Sequence, residues 1–290
     1  MAFSLKTKKS AAACLFLSTV IWGVSFPVIK LAVGEVDSLL FINIRFAIAA
    51  AIVLAYLLIF RRPLMKLLRG RVLWILGITN GVGFAMEVFG MNFTSASKAS
   101  LLINVNVVFM AIFSSLLLGD TMRRKAKAGI GIGLAGVVLT STGGDLSVLT
   151  SGSIIGDVII FTGGIVWAYS MIYNKKAATE LGLSAMEVTA SMTLISALAL
   201  LPFLGLSSFN INVNAVSIAA IFYTAIFCTI VAFFLFYKSL QTLTVVNSGM
   251  VMLFEIVIAI AVSSIFLGEV LTVVGALGGV LIGLGIWLAS

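Results

Sequence analysis

Thr94–Asp120 reads TSASKASLLINVNVVFMAIFSSLLLGD, and Leu243–Glu269 reads LTVVNSGMVMLFEIVIAIAVSSIFLGE. Laid together at an offset of 149 residues, Ser114-Ser115 meets Ser263-Ser264 and Leu118-Gly119-Asp120 meets Leu267-Gly268-Glu269. The match runs outward. Gly129 and Gly136 fall on Gly278 and Gly285, and at an offset of 145 Trp22 and Ser25 fall on Trp167 and Ser170. The chain reads as one unit written twice, residues 1–145 and 146–290, joined in the loop around Gly143–Gly152.

The surrounding sequence says what kind of unit. Of 290 residues, 61% are hydrophobic and 10% charged, against about 45–50% and about 25% in soluble domains. A soluble domain of this size still exposes roughly a quarter of its chain surface, so an excess this large needs lipid as solvent. A crossing helix takes about 20 apolar residues. Ten such runs are predicted, near 11–33, 38–60, 71–92, 97–118, 126–143, 153–173, 184–205, 215–237, 246–267 and 271–289. The fifth and tenth are short and rich in Gly. With the N-terminus inside, 15 of the 18 Lys and Arg residues fall in inner loops, as membrane topology favours. The outer loops hold Glu35, Asp37, Asp145 and Glu269. The expected fold is an all-α polytopic membrane protein with ten transmembrane helices. Five spans per half make the second copy cross upside down, giving two inverted five-helix repeats with both termini cytoplasmic. Inverted repeats place a substrate site near the midplane between them and allow alternating access, the architecture of a secondary transporter.

Composition also excludes. The chain has no His, which removes the commonest general base, metal ligand and pH switch. Cys14 and Cys228 sit in apolar runs and read as small buried hydrophobes, with no disulfide framework or metal cluster. No cofactor and no metal are expected. The net charge of +8 is explained by the inner loops and not by nucleic acid. Lys6, Lys8 and Lys9 precede an apolar run as in a signal peptide, but the run is long enough to read as a retained first span. Gly129-xxx-Gly133 and Gly275-xxx-Gly279-xxx-Gly283 let helices approach closely, within a monomer or at a homodimer seam. The expected partners are a small-molecule substrate and the bilayer.

Ionisable groups inside spans are costly, by about 2.5–3.5 kcal/mol or more, and usually face a cavity or a partner. Three stand out. Glu87 lies about five residues, and Arg45 about seven, from the outer ends of their spans; at about 1.5 Å per residue their depths agree to within about 3 Å. An Arg45–Glu87 ion pair, as a fixed packing element or a gate, is one expectation, and a substrate role is the other. Glu255 falls near the middle of span nine with Asn106 as its counterpart in span four. It reads as a substrate or proton site, or as a helix-packing hydrogen bond. Asn80, Phe84, Glu87 and Met91 make one stripe of span three, and Gly163, Trp167, Ser170 and Asn174 one stripe of span six. Trp22 and Ser25 share a face of span one. Such mixed stripes suit small-molecule pockets. Span eight is aromatic, with Phe222, Tyr223, Phe227, Phe233, Phe234, Phe236 and Tyr237. Most of these read as packing or interface anchors, and Tyr223 is the one taken as a pocket residue.

At WGVSFPVIKLA (Trp22–Ala32), IRFAIAA (Ile44–Ala50), NFTSASKASLL (Asn92–Leu102), LFEIVIA (Leu253–Ala259) and the LGD and LGE ends of spans four and nine, the chain resembles the EamA-like ten-span branch of the drug/metabolite transporter superfamily. The family commonly has a Pro where this chain has Ile256, and Val107 stands at the span-four counterpart, so neither helix carries a proline kink. The resemblance implies a carrier, usually exporting, in the inner (cytoplasmic) membrane. It leaves the substrate open among amino acids, nucleotide sugars, cationic drugs and other metabolites. An amino acid or similar metabolite is the leading expectation, and a cationic drug, possibly with proton coupling, the alternative. A membrane enzyme acting on lipid lacks a visible nucleophile–base set. A channel would differ in showing no trans-stimulation.

Overall fold

A computed structural model describes residues 7–119, 123–150, 152–266, 268 and 272–289. Lys6, Asp120 and Glu269 lie outside them. The described chain is helical, and its one strand-like feature is a bridge between Val36 and Ile211. The helices are α1 (Lys8–Ala32), α2 (Ser38–Ile59), α3 (Leu64–Leu67), α4 (Arg71–Gly90), α5 (Ala96–Asn104), α6 (Asn106–Leu118), α7 (Arg124–Thr142), α8 (Ile154–Thr179), α9 (Ala185–Leu204), α10 (Ala215–Tyr223), α11 (Ala232–Leu240), α12 (Val245–Met252), α13 (Phe254–Phe266) and α14 (Val273–Ala289). Helix starts fall where a short polar side chain can accept from the first free backbone N–H groups. Thr7, Asp37, Ser95, Ser153, Ser184, Asn214 and Thr244 all do so.

The chain is an all-α polytopic membrane protein. Eight of its helical segments are long and apolar enough to cross a bilayer. Of the ten expected spans, the fifth and tenth are the two outside that set. α7 opens on Arg124, Lys125 and Lys127, and α14 has only 17 residues, short of the about 20 a spanning helix takes. These two helices pack on each other along glycines. A Cβ on Gly136 would sit 2.6 Å from Gly278 O, and one on Gly285 2.6 Å from Gly129 O.

Three departures from regular helix bear on the centre. Span four breaks at Val105, between α5 and α6, and span nine breaks at Leu253, between α12 and α13. No proline causes either break. Instead the backbone tightens to i→i−3 bonds, Val108 N donating to Val105 O and Ile256 N to Leu253 O. Between α10 and α11 the helix widens into a π segment, Thr224–Val231. Two carbonyls along it accept side-chain donors, Thr224 O from Thr229 and Cys228 O from Trp22, and just past it Ala232 O accepts from Ser18.

Two lysines 145 residues apart in sequence make similar contacts. Lys30 Nζ, near the end of α1, donates to Met91 O (2.7 Å) and Thr94 O (2.8 Å). Lys175 Nζ, near the end of α8, donates to Leu240 O (2.6 Å) and Leu243 O (2.8 Å). Lys30 thus ties α1 to the corner after α4, and Lys175 ties α8 to the corner after α11. Two carboxylates make further ties. Lys98 bonds Asp157 at 2.8 Å, joining the starts of α5 and α8. Asp37 accepts from Leu39 N and Leu40 N and also from Ser207 and Ser208. Burial acts to raise its carboxyl, but the hydrogen bonds from Ser208, Leu40 and Ser207 outweigh burial and hold it at about 2.

Candidate functional site

The helices α1, α4, α8 and α11 bring their mixed stripes together at one small cavity. Trp22, Asn80, Trp167 and Ser170 line it, with Asn174, Phe233 and Phe236 among the other walls. Its volume is about 20 Å³, room for one water molecule. The site is therefore closed in this conformation, and a metabolite enters only if the helices around it move.

Each wall is set by its helix. Trp22 packs edge-on against Phe233 (5.1 Å) and Phe236 (5.5 Å), and its indole N–H donates to Cys228 O at 2.9 Å. Asn80 donates to Ser196 Oγ and Met192 Sδ on α9. Trp167 stands over Gly83 of α4, where any Cβ would overlap the indole. Asn174 accepts from Tyr237 at 2.6 Å. Phe84 lies one ring behind the cavity, edge-on to Trp167 at 4.8 Å.

Behind Phe84 is Arg45. Its guanidinium carbon stands 4.4 Å from the Phe84 ring centre and 5.4 Å from that of Phe46, within the range of cation–π attraction. Its Nε donates to Thr229 Oγ1 at 2.9 Å, on the π segment. The expected direct pair with Glu87 is not made: the two interact through their charges, but no N–O contact falls within 4.0 Å. Equal depth along two helices fixes height and leaves rotation free, and Arg45 is rotated toward Thr229. Glu87 and Glu255 are both buried and within electrostatic reach of each other. Asn106 opens α6 and Glu255 lies in the first turn of α13, so each follows a helix break.

Many polar atoms here have no partner. Arg45 Nη1 and Nη2, Glu87 Oε2, Asn106 Oδ1, Trp167 Nε1 and Ser170 Oγ are all buried without a hydrogen bond. Roughly nine in ten buried polar groups are normally paired, so these atoms stand out from the rest of the buried polar set. Of the expected substrate residues, Trp22, Asn80, Trp167 and Ser170 line the cavity, and Ser25, Phe84, Glu87, Asn106, Tyr223 and Glu255 do not. Ser25 donates back to Trp22 O on its own helix. Tyr223 faces a separate groove between α1, α10 and α13, its hydroxyl donating to Ile21 O at 2.8 Å. Thr229, the Cys228 carbonyl and the cavity walls Phe233, Phe236, Met110 and Met252 were not in the expected set. The sequence signal for the first two was a pair of Thr residues in an otherwise apolar run. Among the described residues no three His, Cys, Asp or Glu side chains gather as metal ligands would.

The cavity is walled by Trp, Phe and Met with Asn80, Ser170 and Asn174 among them, inside a bundle of apolar helices. The chain belongs to the EamA-like transporter family, whose model matches it twice, over residues 9–142 and 154–290. It is 30% identical to an uncharacterized transporter of Archaeoglobus fulgidus over 233 residues, 78% of each chain. It is 27% identical to a probable amino-acid metabolite efflux pump of Salmonella typhimurium over 296 residues, spanning 94% of this chain and 92% of that one. The inner membrane transporter YedA of Escherichia coli K12 shares 31% over 174 residues, 59% of this chain and 55% of its own. A known crystal structure matches the fold with a TM-score of 0.78 at 19% identity, covering 98% of this chain and 97% of the other.

Proposed function

We propose that the protein is a secondary transporter that exports an amino acid or similar small metabolite across the inner membrane by alternating access. The reading carries ten spans, α7 and α14 completing the set, as inverted repeats 1–145 and 146–290 with both termini cytoplasmic. It needs no nucleic acid, and the carrier works as a monomer or a homodimer. The observation that carries it is the cluster of unpaired buried atoms. A zwitterion suits them: its carboxylate takes the two free guanidinium N–H edges of Arg45, and its ammonium takes Glu87 or Glu255. Trp22, Trp167, Phe84 and Phe233 wall the side chain, with Asn80, Asn106 and Ser170 as further polar contacts. The matched Lys30 and Lys175 bonds support the two-fold reading, and the name of the Salmonella typhimurium relative supports the substrate class. Ser25 and Tyr223 enter this site only if α1 and α10 rotate.

One observation favours a second reading, a cationic drug carrier: two buried carboxylates surround the centre against one buried Arg. Ligand-dependent melting of the purified protein separates the two. A ligand that binds only the folded state adds about 2.7 kcal/mol of stability at a hundredfold excess over its Kd. Amino acids are expected to raise the melting temperature and lipophilic cations to leave it unchanged. The reverse pattern favours the drug carrier, and no response to any zwitterion contradicts the assignment.

A further inference from the structure

Away from the cavity lies an open groove that holds Tyr223. It has a volume of about 440 Å³ and runs between α1 (Val24, Pro27, Val28) and the outward ends of α10 and α13 (Ala219, Val262). That volume is within the range of small-molecule sites, about 300–1,000 Å³. Its one polar side chain, Tyr223, already spends its hydroxyl on Ile21 O. An occupant therefore finds hydrocarbon alone. The groove is continuous with the apolar outer surface, since Leu31, Val216 and Phe266 at its rim are exposed, and for an all-α membrane protein that surface faces lipid.

The two halves treat this place differently. At the 145-residue offset, Val24, Pro27 and Val28 correspond to Tyr169, Ile172 and Tyr173; at 149, Val262 corresponds to Phe113. In the second location the space is filled by the chain itself. Tyr169 packs edge-on to Phe113 at 5.9 Å, and the Tyr169 and Tyr173 hydroxyls bond each other at 2.9 Å. In the first location two valines replace the two tyrosines. Pro27 also removes one helical hydrogen bond from α1 beside the groove. Protein interiors and lipid contacts are close-packed, and unfilled apolar space forfeits dispersion energy.

We propose that an acyl chain of a bilayer lipid occupies this groove, seated between α1 and α10/α13 where the other half uses Tyr169 and Tyr173. The bound chain is a structural wedge of the carrier, filling the space beside the α1–α10 contact that the Tyr223–Ile21 bond makes. The inference rests on the two-fold reading of the chain and is independent of the substrate. The test uses the full protein in nanodiscs of phosphatidylethanolamine and phosphatidylglycerol doped with a lipid carrying a photoreactive diazirine in its acyl chain. After irradiation, adducts are mapped by peptide mass spectrometry and the particle mass is measured. Label is expected to concentrate on residues 24–31 and 215–223. It is expected to be lost from them in Val24→Tyr/Val28→Tyr, or in Ala219→Phe should the double variant misfold, while label at exposed Leu116 stays. Groove labelling no stronger than at Leu116, or unchanged in the filled variants, overturns the proposal. So does a groove protected from label in a particle of doubled mass, which would make a second copy the occupant. Transport assayed on the same particles in liposomes separates the two claims, because labelling reads the lipid whatever the carrier moves.

Discussion

Replacing Arg45 with Met in a Glu87→Gln background is expected to abolish transport and leave the protein no less stable than its parent. Arg45 is buried, and two of its three guanidinium nitrogens have no partner. A buried ion without full pairing costs several kcal/mol in desolvation, and replacing such groups with apolar ones of similar volume is often neutral or stabilising. The one bond lost is to Thr229, whose hydroxyl still donates to Thr224 O. Glu87→Gln removes the carboxylate that would otherwise be left without a nearby cation. If Arg45 receives the substrate's carboxylate, the loss is about 2–5 kcal/mol of binding, ~30- to ~4,000-fold in Kd. The Glu87→Gln single variant apportions the effect. Arg45→Lys keeps the charge but not the paired N–H edge and is expected to fall between. Flux at the parental rate in the double variant, or a melting temperature lowered in step with a lost flux, assigns Arg45 to packing instead.

The second large effect is expected at the α7–α14 seam. A Cβ on Gly278 would lie 2.5 Å from Thr140 N and 2.6 Å from Gly136 O, and one on Gly136 2.8 Å from Ile282 N. These are backbone atoms, so a methyl group is accommodated only by driving the helices apart. Overpacking of this kind costs about 1–3 kcal/mol, and small residues at such seams are what permits close approach in membranes. Gly131 supplies the control in the same helix, because a Cβ there meets nothing within 4 Å. Gly136→Ala and Gly278→Ala are expected to lower the melting temperature. Gly131→Ala is expected to hold or raise it, since Ala is favoured over Gly in a helix by about 0.5–1 kcal/mol. Equal melting of all three variants contradicts the seam.

The helices were legible because lipid demands long apolar runs, and most predicted ends fall within two residues of those observed, as with 38–60 against Ser38–Ile59. Span six is an exception: its helix continues to Thr179 and carries Lys175 and Lys176 inside it. The polar stripes were also legible, since the helical period places Trp167, Ser170 and Asn174 on one face, and the structure turns that face to the cavity. Rotation was the hidden variable elsewhere. Arg45 and Glu87 were matched in depth and not in azimuth. Span eight is aromatic nearly all round, so no polar face told its inward side from its outward side. Phe233 and Phe236 wall the cavity, while Tyr223, the one taken as a pocket residue, faces the groove. The breaks at Val105 and Leu253 left no trace because proline is only one way to make them. Here the backbone shortens its hydrogen bonds beside Asn106 and Glu255, polar residues in the first turns of the next helices.

All of this rests on a site that closes around a substrate and reopens. Counterflow in proteoliposomes reads that cycle directly. Vesicles are loaded with an unlabelled amino acid that raises the melting temperature, and entry of the labelled compound is followed. A carrier predicts entry that saturates with concentration and is accelerated by the internal pool. Entry that rises linearly and ignores the internal pool would contradict it and describe a channel.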